Sequence, residues 1–203
     1  DGTSAEAIEQ LWPHRDSLAG EVYLWVVDPA AVASAIKGEE EDSQTGAREA
    51  RPYNEPSRGV ARPRPFQLGA SQFSIEADLT FSGESRFRPR GRAYTGQEFS
   101  CGRALVLAAG QLRIVVTEQG CLCADPAFYE CVGLSPAEAL GVQVKSHMGW
   151  QAGYEVGPER GLRFDGPGCT TLNFARLPYT GTRRELFPFN ESPPTPVTLW
   201  QST

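Results

Sequence analysis

Apolar residues come in short bursts along this chain, and their spacing predicts alternating helices and strands. The burst Glu21 to Val27 (EVYLWVV) is β-branched and aromatic, which predicts a buried strand. Before it, Ala5, Ile8 and Leu11 recur at helical spacing. Thr3 with Glu6 three residues on makes a capping box, so a helix is expected up to Trp12-Pro13. After it, Asp28-Pro29 supplies an N-cap and a first-turn proline for a helix over Ala30 to Lys37, with Gly38 as its stop.

Residues 38–65 break this grammar. Glu39, Glu40, Glu41 and Asp42 are followed by Pro52, Pro56, Pro63 and Pro65 with little apolar between them, which predicts an exposed loop. Phe66 to Phe81 then alternates in part and reads as an antiparallel strand. Ala104 to Ala108 and Leu112 to Thr117 form the clearest hairpin, turning at Ala109-Gly110. Asp125-Pro126 opens a capped helix stopped by Gly133, and Ser135 to Glu138 opens a short second one. Val142 and Val144 lead a strand into Lys145-Ser146-His147, Trp150 to Val156 reads as a helix, and Leu162 to Phe164 as a strand. A tight turn at Asp165 to Gly168 and a Pro-rich extended tail complete the chain. The expected fold is mixed α/β (α+β) in one domain over residues 1–203: a mixed sheet with an antiparallel hairpin and flanking short helices.

Composition narrows the function classes. With 203 residues, 40% of them hydrophobic and 22% charged, the chain can bury a core, and no apolar run is long enough for a membrane span. A net charge of −6 argues against nucleic acid as a partner. Arg86 to Arg92 (RFRPRGR) is a basic stretch with one aromatic, but it reads as a solvated loop partly paired with the acidic run at 39–42. The five cysteines, Cys101, Cys121, Cys123, Cys131 and Cys169, are an odd set without regular spacing. They read as free thiols in a reducing, cytoplasmic compartment. Cys121-Leu-Cys123 is the one suggestive pair, and with only His14 and His147 in the chain it reads as structural thiols over a metal site. The only methionine is Met148 and the chain opens at Asp1, so it is read as a piece of something longer.

Two places could carry chemistry. Asp1-Gly2-Thr3 feeds a helix N-terminus, whose unpaired N–H groups either meet an anion or are capped by Thr3 and Glu6. Lys145-Ser146-His147 follows a short apolar strand, and in open α/β sheets ligands sit beyond the carboxyl ends of strands. Lys145 could neutralise an anionic substrate group or an oxyanion, and His147 could act as a ligand or an acid/base. The alternative is an ordinary surface strand end. No Walker loop, G-x-G-x-x-G, G-x-S-x-G or H-E-x-x-H is present.

Read in order, these segments resemble the C-terminal domain of the MlrC (microcystinase C) family of zinc metallopeptidases. Asp1-Gly2-Thr3 is similar to the family's G-D-G-T entry, and Val27-Asp28-Pro29 with Ala31-Val32 to its D-P-x-x-V step. Tyr94-Thr95-Gly96, Cys101-Gly102 and the following hairpin resemble its T-G turn and Gly-led hairpin. Asp125-Pro126 with Phe128 and Gly133 to Pro136 resembles D-P…F…G-[IL]-x-P, and Val144-Lys145-Ser146 its V-K-S. Asp165 to Gly168, Leu177-Pro178-Tyr179, Arg183-Arg184 and Pro188 are similar to its ending. The family commonly has H-F-R shortly after V-K-S, where this chain has Gly149-Trp150-Gln151.

The resemblance implies peptide or amide hydrolysis by metal-activated water, with zinc held by an N-terminal metal-binding domain that this chain does not contain. It implies a share of the substrate cleft for this chain, which would be inactive when isolated. Lys145 and Ser146 would then face a small peptide or amide substrate, with His147 as a partial substitute for the missing histidine and Asp1 to Thr3 at the domain junction. The departure at Gly149-Trp150-Gln151 leaves a second reading, a non-catalytic binding or assembly module derived from the family.

Overall fold

The computed structural model describes residues 2–44, 63–68, 73–146 and 148–162. Its helices are α1 (Gly2–Leu11), α2 (Pro29–Gln44), α3 (Ala127–Glu130) and α4 (Trp150–Gly153). Its strands are β1 (Val22–Val27), β2 (Arg64–Leu68), β3 (Phe73–Phe87), β4 (Phe99–Ala109), β5 (Leu112–Thr117) and β6 (Gly141–Val142). The strands form one mixed sheet in the order β2-β3-β4-β5-β1-β6. β1 runs parallel to both β5 and β6, and the other pairings are antiparallel. This is the mixed α+β class that the hydrophobic pattern predicts.

Both faces of the sheet are covered, so its central strands bury side chains in both directions. Along β1, Leu24 and Val26 enter one cluster with Ile8 of α1, Val32 and Ala35 of α2, and Leu105, Leu107, Ile114 and Val116. Tyr23 and Trp25 enter the other, with Val106, Val115, Cys123, Phe128 and Tyr129. The period of two along a strand produces this division. EVYLWVV therefore reads as unbroken apolar sequence because neither face meets water.

The hairpin turns where the sequence places it. Gly110 has φ +53°, and a Cβ there would collide with the Asp16 carboxylate and the Arg15 carbonyl, so the turn needs glycine. Elsewhere the elements differ from expectation. α1 already includes Gly2 and Thr3, which puts Thr3 in the first turn and not at the N-cap. α2 continues through Gly38 to Gln44, because an interior glycine costs only about 1 kcal/mol and the glutamates after it favour helix. The expected 38–65 loop thus starts as helix, and Arg64 and Pro65 already belong to β2.

The expected strand over 66–81 is two strands, β2 and β3, paired from Leu68↔Phe73 to Arg64↔Ala77. A bulge between Leu79 and Phe81 then shifts the register by one residue. As a result Ile75, Ala77 and Leu79 join one cluster and Phe81 packs against the other. Ser135 to Glu138 forms a turn, α3 and α4 are single turns, and β6 has only two residues. The turn at 165–168, the tail and most of the expected strand at 162–164 lie outside the described residues.

Asp28 joins β1 to α2. Its N–H donates to the Thr117 carbonyl at 2.8 Å, and its Oδ1 accepts from Ala31 N–H at 2.9 Å. Replacing Asp28 with Ala removes this buried cap and is expected to cost about 1–2 kcal/mol, read as a lower urea midpoint with an unchanged slope.

Candidate functional site around Lys145

Three residues past β6, the chain holds Lys145 by several contacts. β6 pairs with β1 only at Val22↔Gly141 and Tyr23↔Val142, after which side chains replace the ladder. Gln143 N–H donates to the Tyr23 carbonyl at 2.8 Å, and Gln143 Oε1 accepts from Trp25 N–H at 3.0 Å. The Gln143 carbonyl accepts from the buried Tyr129 hydroxyl at 2.7 Å. Two residues on, Lys145 N–H donates to Cys123 Sγ at 3.1 Å, and Lys145 Nζ lies 4.9 Å from the centre of the Trp25 ring.

The Trp25 platform is itself fixed. Its Nε1–H donates to Thr117 Oγ1 at 2.9 Å, and that hydroxyl donates to the Gln119 carbonyl at 3.0 Å. Its ring meets Phe128 edge-on, with centroids 5.0 Å apart. Lys145 is half-buried, and burial lowers its pKa below the ordinary lysine value, with Cys123 acting in the opposite direction. Cys123 is buried, which pushes its thiol up to about 11 despite the Lys145 N–H and charge. Burial also raises the hydroxyls of Tyr129 and Tyr154, with the Cys123 thiol adding to both.

Ser146 follows Lys145 closely enough to Gly149 that a Cβ on Gly149 would lie 2.7 Å from Ser146 Oγ. His147 and Asp1 lie outside the described residues. Helix α1, which carries Thr3, packs through Ile8 on the sheet face opposite Trp25. Trp25, Cys123, Gln143 and Thr117 were not candidates in the sequence reading. The signal for Gln143 is a polar residue inside the apolar alternation Val142-Gln143-Val144.

The cysteines require a correction. Cys101 and Cys121 form a disulfide, with Cα atoms 5.6 Å apart, while Cys123 and Cys131 are free and Cys169 lies outside the described residues. The register explains the pairing: three residues past Ala104↔Thr117, Cys101 is level with Gly120, and Gln119 N–H donates to the Cys101 carbonyl at 3.0 Å. The cysteine pattern therefore gives no support for a reducing compartment. No described helix is long and apolar enough to cross a membrane.

The basic stretch has acidic partners of its own. Arg86 meets Glu84 at 3.0 Å, Arg88 meets Glu98 at 3.1 Å, and Arg90 pairs with Glu130, while the side chains at 40–42 lie outside the described residues. Nearby, a cleft of about 280 Å³ is lined by Arg90, Gly91, Asp125, Pro126, Glu130, Gly153 and Glu155. The buried Asp125 carboxylate is committed there, accepting from Arg90 N–H (3.1 Å), Gly91 N–H (2.9 Å) and Ala127 N–H (2.9 Å). Among the described residues, no three His, Cys, Asp or Glu side chains are grouped to hold a metal ion. Asp28 and Asp125 serve helix starts and loops instead, so these residues do not fit a zinc site.

A six-stranded mixed sheet covered on both faces defines the class of this domain. The family described as MlrC C-terminus matches residues 1–181, and the chain belongs to that family. The fold is similar to the crystal structure, at 2.13 Å resolution, of a candidate metallopeptidase from Mesorhizobium sp. BNC1. The two share 24% identity and a TM-score of 0.65, over 98% of this chain and 36% of that one. This chain thus spans about a third of the length of that protein. No curated protein matches the sequence.

Two expectations follow. Asp125→Ala removes the acceptor of three N–H groups, the Ala127 one buried and the Arg90 and Gly91 ones part-buried, and is expected to cost about 1–3 kcal/mol in urea unfolding. The second concerns pH: in the unfolded chain Cys123 ionises near 9, whereas in the folded chain it holds its proton to about 11, as does Cys131. Their contribution is fully present below pH 9 and is lost as pH rises towards 11, because only the unfolded state releases protons in that window. Urea midpoints should fall between pH 8.5 and 10.5, as an order-of-magnitude window around the thiol range, and fall less in Cys123→Ala.

Proposed function

We propose that this chain is the C-terminal part of a zinc-dependent peptide or amide hydrolase. A preceding N-terminal domain holds the metal, and this domain forms part of the wall of the substrate cleft. Family membership supports the reading, and one observation carries it: on the segment that follows β6, Lys145 is held over Trp25 on one face of the sheet. There its ammonium meets an anionic group of a small peptide or amide substrate, or the oxyanion that develops during its hydrolysis. Cys123 holds the Lys145 main chain and the Trp25 ring lies against its ammonium, so the charge is oriented before substrate arrives. Ser146 adjoins it as a second polar group, and His147, Asp1 and Thr3 belong to the same cleft reading through the family resemblance. A cytoplasmic location belongs to this reading too, and there the Cys101–Cys121 bond is a reversible one.

The second reading, a binding or assembly module without catalysis, is favoured by Gly149. A side chain there would press on Ser146 Oγ and lie 3.4 Å from Ala124 Cβ, which leaves little room for a histidine. Stoichiometric zinc binding by the full-length protein without cleavage of any peptide or amide would favour this module.

The deciding experiment is metal-dependent peptidase kinetics on the full-length protein. Lys145→Ala is expected to lower kcat/KM by about tenfold or more, equivalent to roughly 1.4 kcal/mol, with unfolding unchanged. Lys145→Arg should keep part of the activity, since it keeps the charge. Wild-type kinetics in Lys145→Ala would remove the lysine from the site.

A further inference from the structure

We infer that the Cys101–Cys121 disulfide is a redox latch on the placement of Lys145, a control that rests on the cleft reading above for its functional meaning. The segment between β5 and α3 is tied at both of its ends. Gln119 is tied to Cys101 by its N–H, and Asp125 is tied to the 90–91 loop by its carboxylate. Between them, sulfur anchors the chain twice: Cys121 is bonded to Cys101 on β4, and Cys123 Sγ accepts the Lys145 N–H. One residue separates the two anchors, so slack at Cys121 is transmitted to the atom that holds Lys145. A second route reaches the same lysine. Gln119, beside the disulfide, accepts from Thr117, which accepts from the Trp25 indole beneath Lys145 Nζ.

The burial of the three sulfurs sets how the latch opens. Cys101 is fully buried and Cys121 only half-buried, so an external thiolate attacks Cys121 Sγ. The Cys101–Cys121 S–S bond breaks, a mixed disulfide forms at Cys121, and Cys101 leaves as a thiolate that takes up a proton. The second thiol of a dithiol reductant then displaces Cys121 as a thiol and becomes a disulfide itself, so the protein gains two electrons and two protons. Cys123, two residues away, is buried and stays protonated at neutral pH, so it does not compete as the attacking group. The device therefore has an outside trigger and an internal readout. Reduction loosens the 120–124 segment and frees Lys145 from Cys123 without disturbing the β1–β5 pairing.

The test reads lysine protection in the full-length protein, oxidised and after treatment with dithiothreitol and alkylation by iodoacetamide. This domain contains two lysines, Lys37 on α2 and Lys145, so Lys37 is an internal reference. Acetylation by a small N-hydroxysuccinimide ester, followed by peptide mass spectrometry, gives the ratio of the two rates. Reduction is expected to raise the Lys145-to-Lys37 ratio by about threefold or more, in line with release of a half-buried amine. Cys101→Ser and Cys121→Ser should show the raised ratio without reductant, and Cys131→Ser should not. The proposal fails if Cys101 and Cys121 are alkylated without reductant, if the ratio stays the same on reduction, or if both lysines speed up equally. The last result would make the bond a general staple. The Lys145→Ala kinetics test whether Lys145 faces substrate, and this ratio tests whether the disulfide governs it, so each can fail separately.

Discussion

β1 is hydrogen-bonded to β5 on one side and to β6 on the other, and both of its faces are buried. A strand in that position has no solvent-facing side on which to place a polar residue, so every side chain from Tyr23 to Val26 must find an apolar partner. This constraint orders the rest of the domain. α1 and α2 are needed over Leu24 and Val26, and α3 with the segment before it over Tyr23 and Trp25. It also explains why a tryptophan nitrogen in this core is paired with Thr117 and not left bare. Removing the strand would remove both layers and the platform on which Lys145 rests.

The parts that were legible in the sequence are those in which local chemistry and long-range packing agree. EVYLWVV, the Asp28-Pro29 helix start and the Gly110 turn are such places, because the residue that favours the element is also the one the packing needs. Lys145 drew attention in the sequence because it follows an apolar burst, and Ser146 because it adjoins Lys145. What escaped depends on contacts between distant positions. The switch of face between Leu79 and Phe81 is set by pairing with Leu107 and Val106, which residues 73–81 alone do not contain. Gly38 looks like a helix stop in isolation, yet the glutamates beyond it carry the helix on. The disulfide requires the hairpin register to be known before residues 101 and 121 can be placed side by side.

The site divides its labour between rigid and adaptable parts. The parallel strands fix the sheet, and the buried aromatic cluster of Trp25, Phe128 and Tyr129 forms the floor under Lys145. Sulfur and a single amide side chain then fix the height and direction of the lysine above that floor. Metal chemistry is separate from this arrangement, since the described carboxylates serve caps and loops.

Gln143 occupies a place where a main-chain group would ordinarily continue the ladder, accepting from Trp25 through its side chain. A backbone hydrogen bond is inherited with any sequence that keeps the strand, whereas this one is inherited only with glutamine or a close mimic. The direction taken by the chain after β6 can therefore change through substitution at one codon while the sheet remains intact. The position of Lys145 over Trp25 can then diverge without re-evolving the fold that supports it.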